Sequence, residues 1–276
     1  MLKKHILGLL MLCGTSSALF AENIYPISRE MGSGTRGAFV EIFKIQKEVN
    51  GKKIDATTNK AEVTNSTGVM ITTVANSKNS IGYISLGSLN DTIKALKVDG
   101  VAPSVDNINN KSYKISRPFN VVTKTTTPLI EDFLKYSTSK EAKGIVEKAG
   151  YISSAKDSYT STQPQGKLVI AGSSSVTPLM EKLVESYKEI NKNATIEIQQ
   201  SDSTTGVNSV VEGIADIGMV SRVVKESEIK KGIATQVLAI DGLAVIVNKA
   251  NKIDAISKDS VKGIFTGEIT KWQEVK

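Results

Sequence analysis

One stretch near the start of the chain, "SREMGSGTRGAF", combines small hydroxyl residues with positive charge. It sets Ser33, Gly34 and Thr35 between two arginines, Arg29 and Arg36, where an apolar helical pattern begins. Backbone N–H groups at a helix start, with hydroxyls and a nearby positive charge, are the groups that bind an oxyanion. The stretch therefore indicates an anion site, although such a loop is a weak signal when it stands alone.

Three later stretches have similar chemistry. "AGSSSVTP" places Ser173, Ser174 and Ser175 at a strand-to-helix turn, "QQSDSTTG" places Ser203, Thr204 and Thr205 at the next such turn, and "ADIGMVSR" places Asp216 at the start of a strand. Because ligands of α/β sheets bind where strands end and helices begin, these residues are expected to surround one small anion. Helix capping is the alternative explanation for each turn, since Ser and Thr are preferred N-caps whatever the function.

Apolar patterning predicts strands that alternate with helices along the chain. "IYPISR", "SIGYIS", "KLVIAG", "TIEIQQ" and "DIGMVS" have the composition of strands, and amphipathic helical patterns lie between them. This alternation predicts the α/β class. The polar stretch "SSAKDSYTSTQPQG", residues 153–166, predicts a linker, and no internal repeat relates the two parts that it separates.

The first 21 residues have the pattern of a secretory signal peptide. Lys3 and Lys4 precede an apolar run and then small residues, and the run is too short to anchor the chain across a membrane. Without these two lysines, the chain carries 33 Lys and Arg against 28 Asp and Glu, a net charge of +5. The lysines are scattered among acids and aromatic residues are few, so no nucleic-acid partner is expected.

Cleavage of the signal peptide would remove Cys13 and His5, the only cysteine and the only histidine of the 276 residues. The remaining chain then has no Ser-His-Asp or Cys-His catalysis, no Cys/His zinc site and no disulfide. We expect no cofactor and no metal. Lipid attachment at Cys13 is an alternative to simple cleavage, but Leu12 is an unfavourable neighbour for it.

Six segments resemble the substrate-binding protein of bacterial high-affinity phosphate ABC transporters. The resemblance covers essentially the whole chain after the signal peptide. In that family the segment similar to "KLVIAGSSS" comes first, whereas here it follows the one similar to "SREMGSGTR", which indicates a circular permutation. A truncated or misassembled reading frame is the competing explanation. The six segments are "SREMGSGTRGAF", "NSIGYISLGSL", "GKLVIAGSSSVTPLMEKLVESY", "DSTTGVNSVVEGIADIGMVSR", "IDGLAVIVNKANKI" and "IFTGEITKWQEV".

The resemblance implies a two-lobed periplasmic-binding-protein (type II) fold of the α/β class, circularly permuted, with a two-stranded hinge. One lobe is expected to be continuous, from residue 91 to 245, and to contain the linker. The other is expected to combine residues 22–90 with 246–276. The chain would cross between the lobes near 85–91 and 245–249.

The resemblance also implies which residues hold the ligand. Arg29 supplies charge, and Asp216 is expected to accept the proton that phosphate retains at neutral pH and sulfate lacks. Asp202 stands where the family usually has Gly, and Met31 where it often has an acid. Arg36 and Arg222 either line the cleft or form other ion pairs. The implied phosphate-binding set is Arg29, Ser33, Gly34 and Thr35 from the discontinuous lobe, with Ser174, Ser175, Ser203 and Asp216 from the continuous lobe.

The function implied is capture of inorganic phosphate outside the cytoplasmic membrane, in the periplasm, and delivery to the permease subunits of an ABC transporter. A monomer without enzymatic activity is expected. Two alternatives stay open: a phosphate sensor or surface binding protein on the same fold, and a phosphatase. The phosphatase is disfavoured because no His, Cys or metal-binding carboxylate cluster is expected.

Overall fold

The computed structural model describes residues 22–276, so the expected signal peptide, with Cys13 and His5, lies outside the described residues. Strands and helices alternate along this range. Within residues 22–276, no helix combines the length and apolarity needed to cross a membrane. The strands are β1 (Tyr25–Arg29), β2 (Gln46–Val49), β3 (Lys52–Asp55), β4 (Glu62–Thr64), β5 (Ser80–Ser85), β6 (Ile93–Ala95), β7 (Lys97–Val98), β8 (Ser116–Thr123), β9 (Ile152–Ser153), β10 (Gly166–Ser173), β11 (Ala194–Ser201), β12 (Ile217–Val220), β13 (Ala234–Asn248) and β14 (Ala255–Ile256). The helices are α1 (Gly34–Ile42), α2 (Thr67–Asn76), α3 (Val105–Asn109), α4 (Pro128–Ser137), α5 (Lys140–Lys148), α6 (Thr177–Ile190), α7 (Ser203–Val211), α8 (Glu226–Ile229) and α9 (Lys258–Thr266).

The five strands predicted from apolar patterning are all present, as β1, β5, β10, β11 and β12. Helix α7 begins at Ser203, because the Asp202 carboxylate accepts hydrogen bonds from the N–H groups of Thr204 and Thr205. The hairpin of β2 and β3 was not among the predicted elements. Its turn, Asn50–Gly51, has positive φ at both residues, as a tight two-residue hairpin requires.

A ten-stranded sheet runs through the described chain in the order β11-β10-β12-β8-β13-β5-β1-β4, with β6 and β9 paired to β13. Strand β13 is 15 residues long and spans both halves of the sheet. Its first part pairs antiparallel with β8 as far as Gly242, and its second part pairs with β5 from Leu243 onward. β8 and β13 are therefore the two strands of the hinge.

Two large apolar cores lie on either side of this hinge. One contains Phe133, Leu179 and Tyr187 from α4 and α6, packed on β10 and β12. The other contains Phe39 and Tyr83, whose rings stack at 3.8 Å between centroids, together with α9. The molecule thus has the mixed α/β, two-lobed architecture expected from the sequence.

The packing corrects the predicted lobe boundary. Residues 93–115, which the sequence analysis assigned to the continuous lobe, contribute Leu96, Val98, Ile108, Tyr113 and Ile115 to the core around Phe39. They pack there because β6 pairs with the second part of β13 and β7 pairs with β14. By its packing, the continuous lobe begins with β8 and ends midway along β13, and the expected crossings near residues 85–91 and 245–249 lie inside the other lobe.

The first and last described segments pair with each other. Asn23 bridges Lys271, and the Ile24 N–H donates to the Thr270 carbonyl at 2.8 Å. Both segments belong to the lobe around Phe39.

The predicted linker has no regular structure between β9 and β10, yet it is fixed to the protein. The buried Asp132 carboxylate of α4 accepts hydrogen bonds from the hydroxyls of Tyr159, Ser161 and Thr162 and from the Thr162 N–H. Tyr187 of α6 donates to the same carboxylate at 2.7 Å. One carboxylate thus joins the linker to two helices.

Candidate functional site

The N-terminal ends of four helices meet between the lobes. α1 and α2 come from the lobe around Phe39, and α6 and α7 come from the continuous lobe. Ser33 caps α1 with its hydroxyl, and Asp202 caps α7 with its carboxylate. Helix N-termini carry partial positive charge and unpaired N–H groups, so their convergence creates an environment for an anion.

A cluster of hydroxyls joins the first turns of three of these helices across the cleft. Thr35 and Ser175 share a hydrogen bond of 2.8 Å, and Thr67 and Ser175 share one of 2.9 Å. The Thr67 N–H also donates to the Ser174 hydroxyl at 3.2 Å. All four side chains are buried, so the cluster is closed to bulk solvent.

Ser221, directly after β12, extends this cluster. Its hydroxyl accepts from Ser173 at 2.8 Å, and its N–H donates to the Ser203 hydroxyl at 3.0 Å. Gly34 of α1 packs directly on these hydroxyls: a Cβ at Gly34 would overlap Ser203 and Ser221. Only glycine allows the two lobes to approach so closely at this point.

Arg29 brings a buried positive charge to the cluster. Its side chain is 2% exposed, and it donates to the Ser174 hydroxyl at 3.1 Å and to the Thr67 hydroxyl at 3.4 Å. On its other side, Glu30 accepts two hydrogen bonds from the guanidinium, at 2.8 and 2.7 Å. The carboxylate fixes the plane of the guanidinium through Nε and Nη2, and Nη2 and Nη1 donate to the hydroxyls of Ser174 and Thr67.

The other two candidate arginines are held in ion pairs beside the cluster. Arg36 donates to Asp55 at 2.7 Å and to the main-chain oxygen of Arg29 at 2.8 Å. Arg222 makes two hydrogen bonds of 2.8 Å to Glu228. Burial raises the pKa of Glu228, but the hydrogen bonds from Arg222 and from the Lys225 N–H, together with the charges of both residues, hold the pKa below its usual value. Arg36 holds the backbone of Arg29 in place, and Arg222 forms an ion pair with Glu228.

Asp216 was predicted to contact the ligand, but it lies at the start of β12, at the end of the strands that is far from the hydroxyl cluster. Its carboxylate accepts from the Val169 N–H at 2.7 Å, and its own N–H donates to the Val169 carbonyl. Val169 precedes Ser173 by four residues in β10, so the carboxylate is about 13 Å from the hydroxyl cluster. β12 runs parallel to β10, so a residue at the start of β12 lies near the start of β10, at the opposite end of the strand from Ser173.

The structure brings seven of the eight predicted residues together, and only Asp216 is elsewhere. Two hydroxyls that were not predicted, those of Thr67 and Ser221, also lie in the site. The hydroxyl of Ser173 joins them; it stands in a predicted turn but outside the predicted phosphate-binding set. Ser221 could have been found, because it follows an apolar strand in "DIGMVSR" as Ser173 does in "KLVIAGS". Thr67 could have been found as the first residue of a helix after "NS".

This arrangement suits the binding of a small anion. Hydroxyls, helix N–H groups and one guanidinium supply donors, and hydroxyl oxygens can also accept a hydrogen bond from a protonated ligand oxygen. Among residues 22–276, no group of three or more His, Cys, Asp or Glu side chains is placed to hold a metal ion. No histidine or cysteine occurs in that range to serve as base or nucleophile.

Comparison with known proteins finds similar chains. A PBP superfamily domain matches residues 16–141 and 157–276. The phosphate-binding protein PstS 2 of Streptococcus agalactiae serotype V is 50% identical over 275 residues, covering 98% of this chain and 94% of that protein. The crystal structure of a phosphate-binding protein of a phosphate ABC transporter from Streptococcus pneumoniae superposes with a TM-score of 0.72 at 42% identity, covering 92% of this chain and 100% of that one. The phosphate-binding protein PstS of Bacillus subtilis is 38% identical over 112 residues, 40% of this chain and 37% of that protein.

Proposed function

Because the chain belongs to the PBP superfamily, in the family of bacterial phosphate-binding proteins, we propose that it binds inorganic phosphate between its two lobes and delivers it to an ABC permease. The contact between Arg29 and Ser174 supports this most directly, because it places a buried guanidinium against hydroxyls of the opposite lobe. A tetrahedral oxyanion has the charge and the acceptors that this arrangement can satisfy.

The proposed ligand contacts come from both lobes. Arg29 and the helix N-termini of α1 and α2 meet the anion from one lobe, and those of α6 and α7 from the other. Glu30 leaves the Arg29 pair with little net charge, so hydrogen bonds and helix dipoles supply most of the attraction. A serine or threonine hydroxyl oxygen accepts a hydrogen bond from the P–OH group of the phosphate. The contacting residues are Arg29, Ser33, Gly34, Thr35, Ser174, Ser175 and Ser203, with Thr67 and Ser221.

Export across the cytoplasmic membrane and a role as a non-enzymatic, monomeric binding protein complete the proposal. The signal-like first 21 residues support export, and the absence of His and Cys from residues 22–276 argues against the common hydrolase mechanisms. The permease is the expected partner, because the similar protein of Streptococcus pneumoniae belongs to a phosphate ABC transporter.

The segment order is best explained by circular permutation. The Streptococcus agalactiae protein matches almost the whole chain, whereas the Bacillus subtilis protein matches only 40% of it. A permuted order would leave a continuous alignment with only one half of an unpermuted relative. The order shared with a streptococcal protein also argues against a reading-frame error.

Calorimetric titration of the purified protein, expressed without its signal sequence, tests the proposal. Inorganic phosphate should bind with one site per chain, arsenate should bind comparably, and chloride at the same ionic strength should not bind. If phosphate releases no heat and does not raise the melting temperature, the proposed function is wrong.

A further inference from the structure

A buried ion pair lies where the chain crosses between the lobes. Arg117 of β8 and Asp241 of β13 occupy directly paired positions of the two hinge strands. Their side chains are 3% and 0% exposed, and the Arg117 Nε donates to the Asp241 carboxylate at 3.1 Å. Ser85 of β5 donates to the same carboxylate at 2.8 Å. Three strands from the two lobes therefore share one carboxylate.

The same guanidinium reaches the candidate site. Its Nη1 donates to the main-chain oxygen of Ser221 at 2.9 Å. Ser221 presents its hydroxyl and its N–H to the hydroxyl cluster, where they bond Ser173 and Ser203. Arg117 is thus a direct link between the hinge carboxylate and a residue proposed to contact the anion.

The pair is poorly explained as a source of stability alone. A buried ion pair loses the solvation of both charges, and apolar residues of similar size often stabilise a core equally well. Arg117 Nη2 lies within 3.1 Å of Asp241 but makes no hydrogen bond of good geometry. Burial raises the pKa of Asp241 to about 6, although Arg117 and Ser85 lower it. What the pair supplies is a fixed geometry between two strands and a loop.

We propose that Arg117 is a positioning residue that couples the angle of the hinge to the orientation of Ser221 in the phosphate site. When the lobes close, the pairing with Asp241 aims the guanidinium at the Ser221 carbonyl, and the Ser221 hydroxyl is held toward the anion. Arg117 does not contact the ligand. The inference rests on the proposed function, because it concerns the affinity of that same site.

Two tyrosines, an arginine and a phenylalanine surround the ion pair of Arg117 and Asp241. Tyr113 and Tyr151 face Asp241, and burial together with this carboxylate raises the pKa of both phenols. Arg29 lies close enough to repel Arg117, and Phe119 lies under the Arg117 guanidinium at 5.2 Å. Both tyrosines stay neutral near pH 7, so Asp241 is the partner that balances the charge of Arg117.

The decisive variant is Arg117→Lys. Lysine keeps a positive charge beside Asp241, but a single ammonium group lacks the fork that bonds Asp241 and the Ser221 carbonyl together. We expect the melting temperature without ligand to change little and the affinity for inorganic phosphate, measured by calorimetry, to fall about tenfold or more.

Arg222→Lys is the matched control. It makes the same exchange one residue after Ser221, in an arginine whose pair with Glu228 is also buried but does not join the hinge. Its phosphate affinity should stay within about twofold of that of the parent protein. Equal affinity losses in both variants would overturn the proposal, as would parental affinity in Arg117→Lys.

A double variant separates positioning from stability. Arg117→Met with Asp241→Leu replaces the ion pair by apolar groups, so the melting temperature should stay close to that of the parent or rise, while the phosphate affinity falls about tenfold or more. Small-angle scattering should then show a smaller phosphate-induced decrease in radius of gyration than in the parent. If the double variant has the phosphate affinity and the compaction of the parent, the ion pair has only a structural role and the proposal is wrong. If the parent itself binds no phosphate, the proposed function fails and not this inference alone.

Discussion

The Arg29 guanidinium donates a hydrogen bond of 3.1 Å to the hydroxyl of Ser174, a residue 145 positions away in the chain and in the opposite lobe. Since one partner of this contact moves with each lobe, the contact exists only while the lobes are together. The candidate site is therefore a property of the closed arrangement, and substitutions that prevent closure should act like substitutions of the ligand contacts themselves.

Arg29→Ala should abolish tight phosphate binding and leave the fold intact. A charge-assisted hydrogen bond contributes about 1.5–3 kcal/mol, which corresponds to a loss of at least about tenfold in affinity. The loss is deepened because Glu30 would then lie near the anion without its partner. Calorimetry measures the phosphate affinity, and circular dichroism shows whether the fold is intact.

Arg36→Ala is the comparison for that variant. Its guanidinium bonds Asp55 and the Arg29 carbonyl and does not face the hydroxyls, so its effect on affinity should be much smaller. Equal losses in the two variants would show that Arg29 has no special role toward the ligand.

Gly34→Ala should weaken phosphate binding by obstructing closure. The added Cβ would overlap the hydroxyls of Ser203 and Ser221, which belong to the opposite lobe. We expect an affinity loss of tenfold or more, with a helix α1 that is at least as stable as before, since alanine favours helices. Gly37→Ala in the same helix meets only the Arg222 side chain, at 3.3 Å, and serves as the control. If both alanines bind phosphate like the parent, the closed contact at Gly34 is unnecessary for binding.

Asp216→Asn should leave the ratio of phosphate to sulfate affinity unchanged. The carboxylate is bonded to the Val169 N–H, about 13 Å from the hydroxyl cluster. An amide oxygen can still accept from that N–H, so stability should fall by less than about 1 kcal/mol. Competitive titrations with the two anions give the ratio. A tenfold change in the ratio of phosphate to sulfate affinity would show that Asp216 contacts the ligand, and its placement outside the site would then be wrong.

Asp132→Asn should destabilise the protein without altering phosphate affinity. Burial raises the pKa of Asp132, but hydrogen bonds from Thr162, Tyr159 and Tyr187 outweigh it and hold the pKa below its usual value. Removing the charge should lower the free energy of unfolding at pH 7 by about 1–3 kcal/mol. Urea unfolding monitored by circular dichroism measures this change.

The Asp132 carboxylate should also make the free energy of unfolding depend on pH, in a direction that follows from its lowered pKa. Because its pKa is depressed in the folded state, its stabilisation is complete above the unfolded value of 3.8 and is lost as the pH falls through the folded value. The difference in stability between parent and Asp132→Asn should therefore be constant from about pH 5 to 7 and shrink in acid. A difference that persists unchanged at pH 2 would contradict this origin.

Much of the fold and site was accessible from the sequence because the signals are local. The alternation of apolar strands and helices predicts the α/β class, and hydroxyls that directly follow strands, such as Ser174 and Ser203, mark the edge where helix N-termini meet. Asp216 was misplaced although the sequence holds the contrary signal. It precedes its apolar run, so it lies at the start of β12, whereas Ser221 follows the run and reaches the site.

The lobe boundary was less accessible because it depends on long-range pairing. Nothing local in "IKALKVDG" states that β6 will pair with the far end of β13 and β7 with β14. The ion pair of Arg117 and Asp241 was missed for the same reason, since the two residues are 124 positions apart. Contacts of this kind follow from register between distant strands, and no motif encodes them.

Strand β13 has a consequence for how the protein unfolds. Leu238 and Ala239 pack in the core of the continuous lobe, and Leu243 and Val245, a few residues along the same strand, pack in the core around Phe39. Neither lobe can lose its core without withdrawing a central strand from the sheet of the other. The two lobes should therefore melt as one cooperative unit, with equal calorimetric and van't Hoff enthalpies, unlike domains that are joined only by an exposed tether.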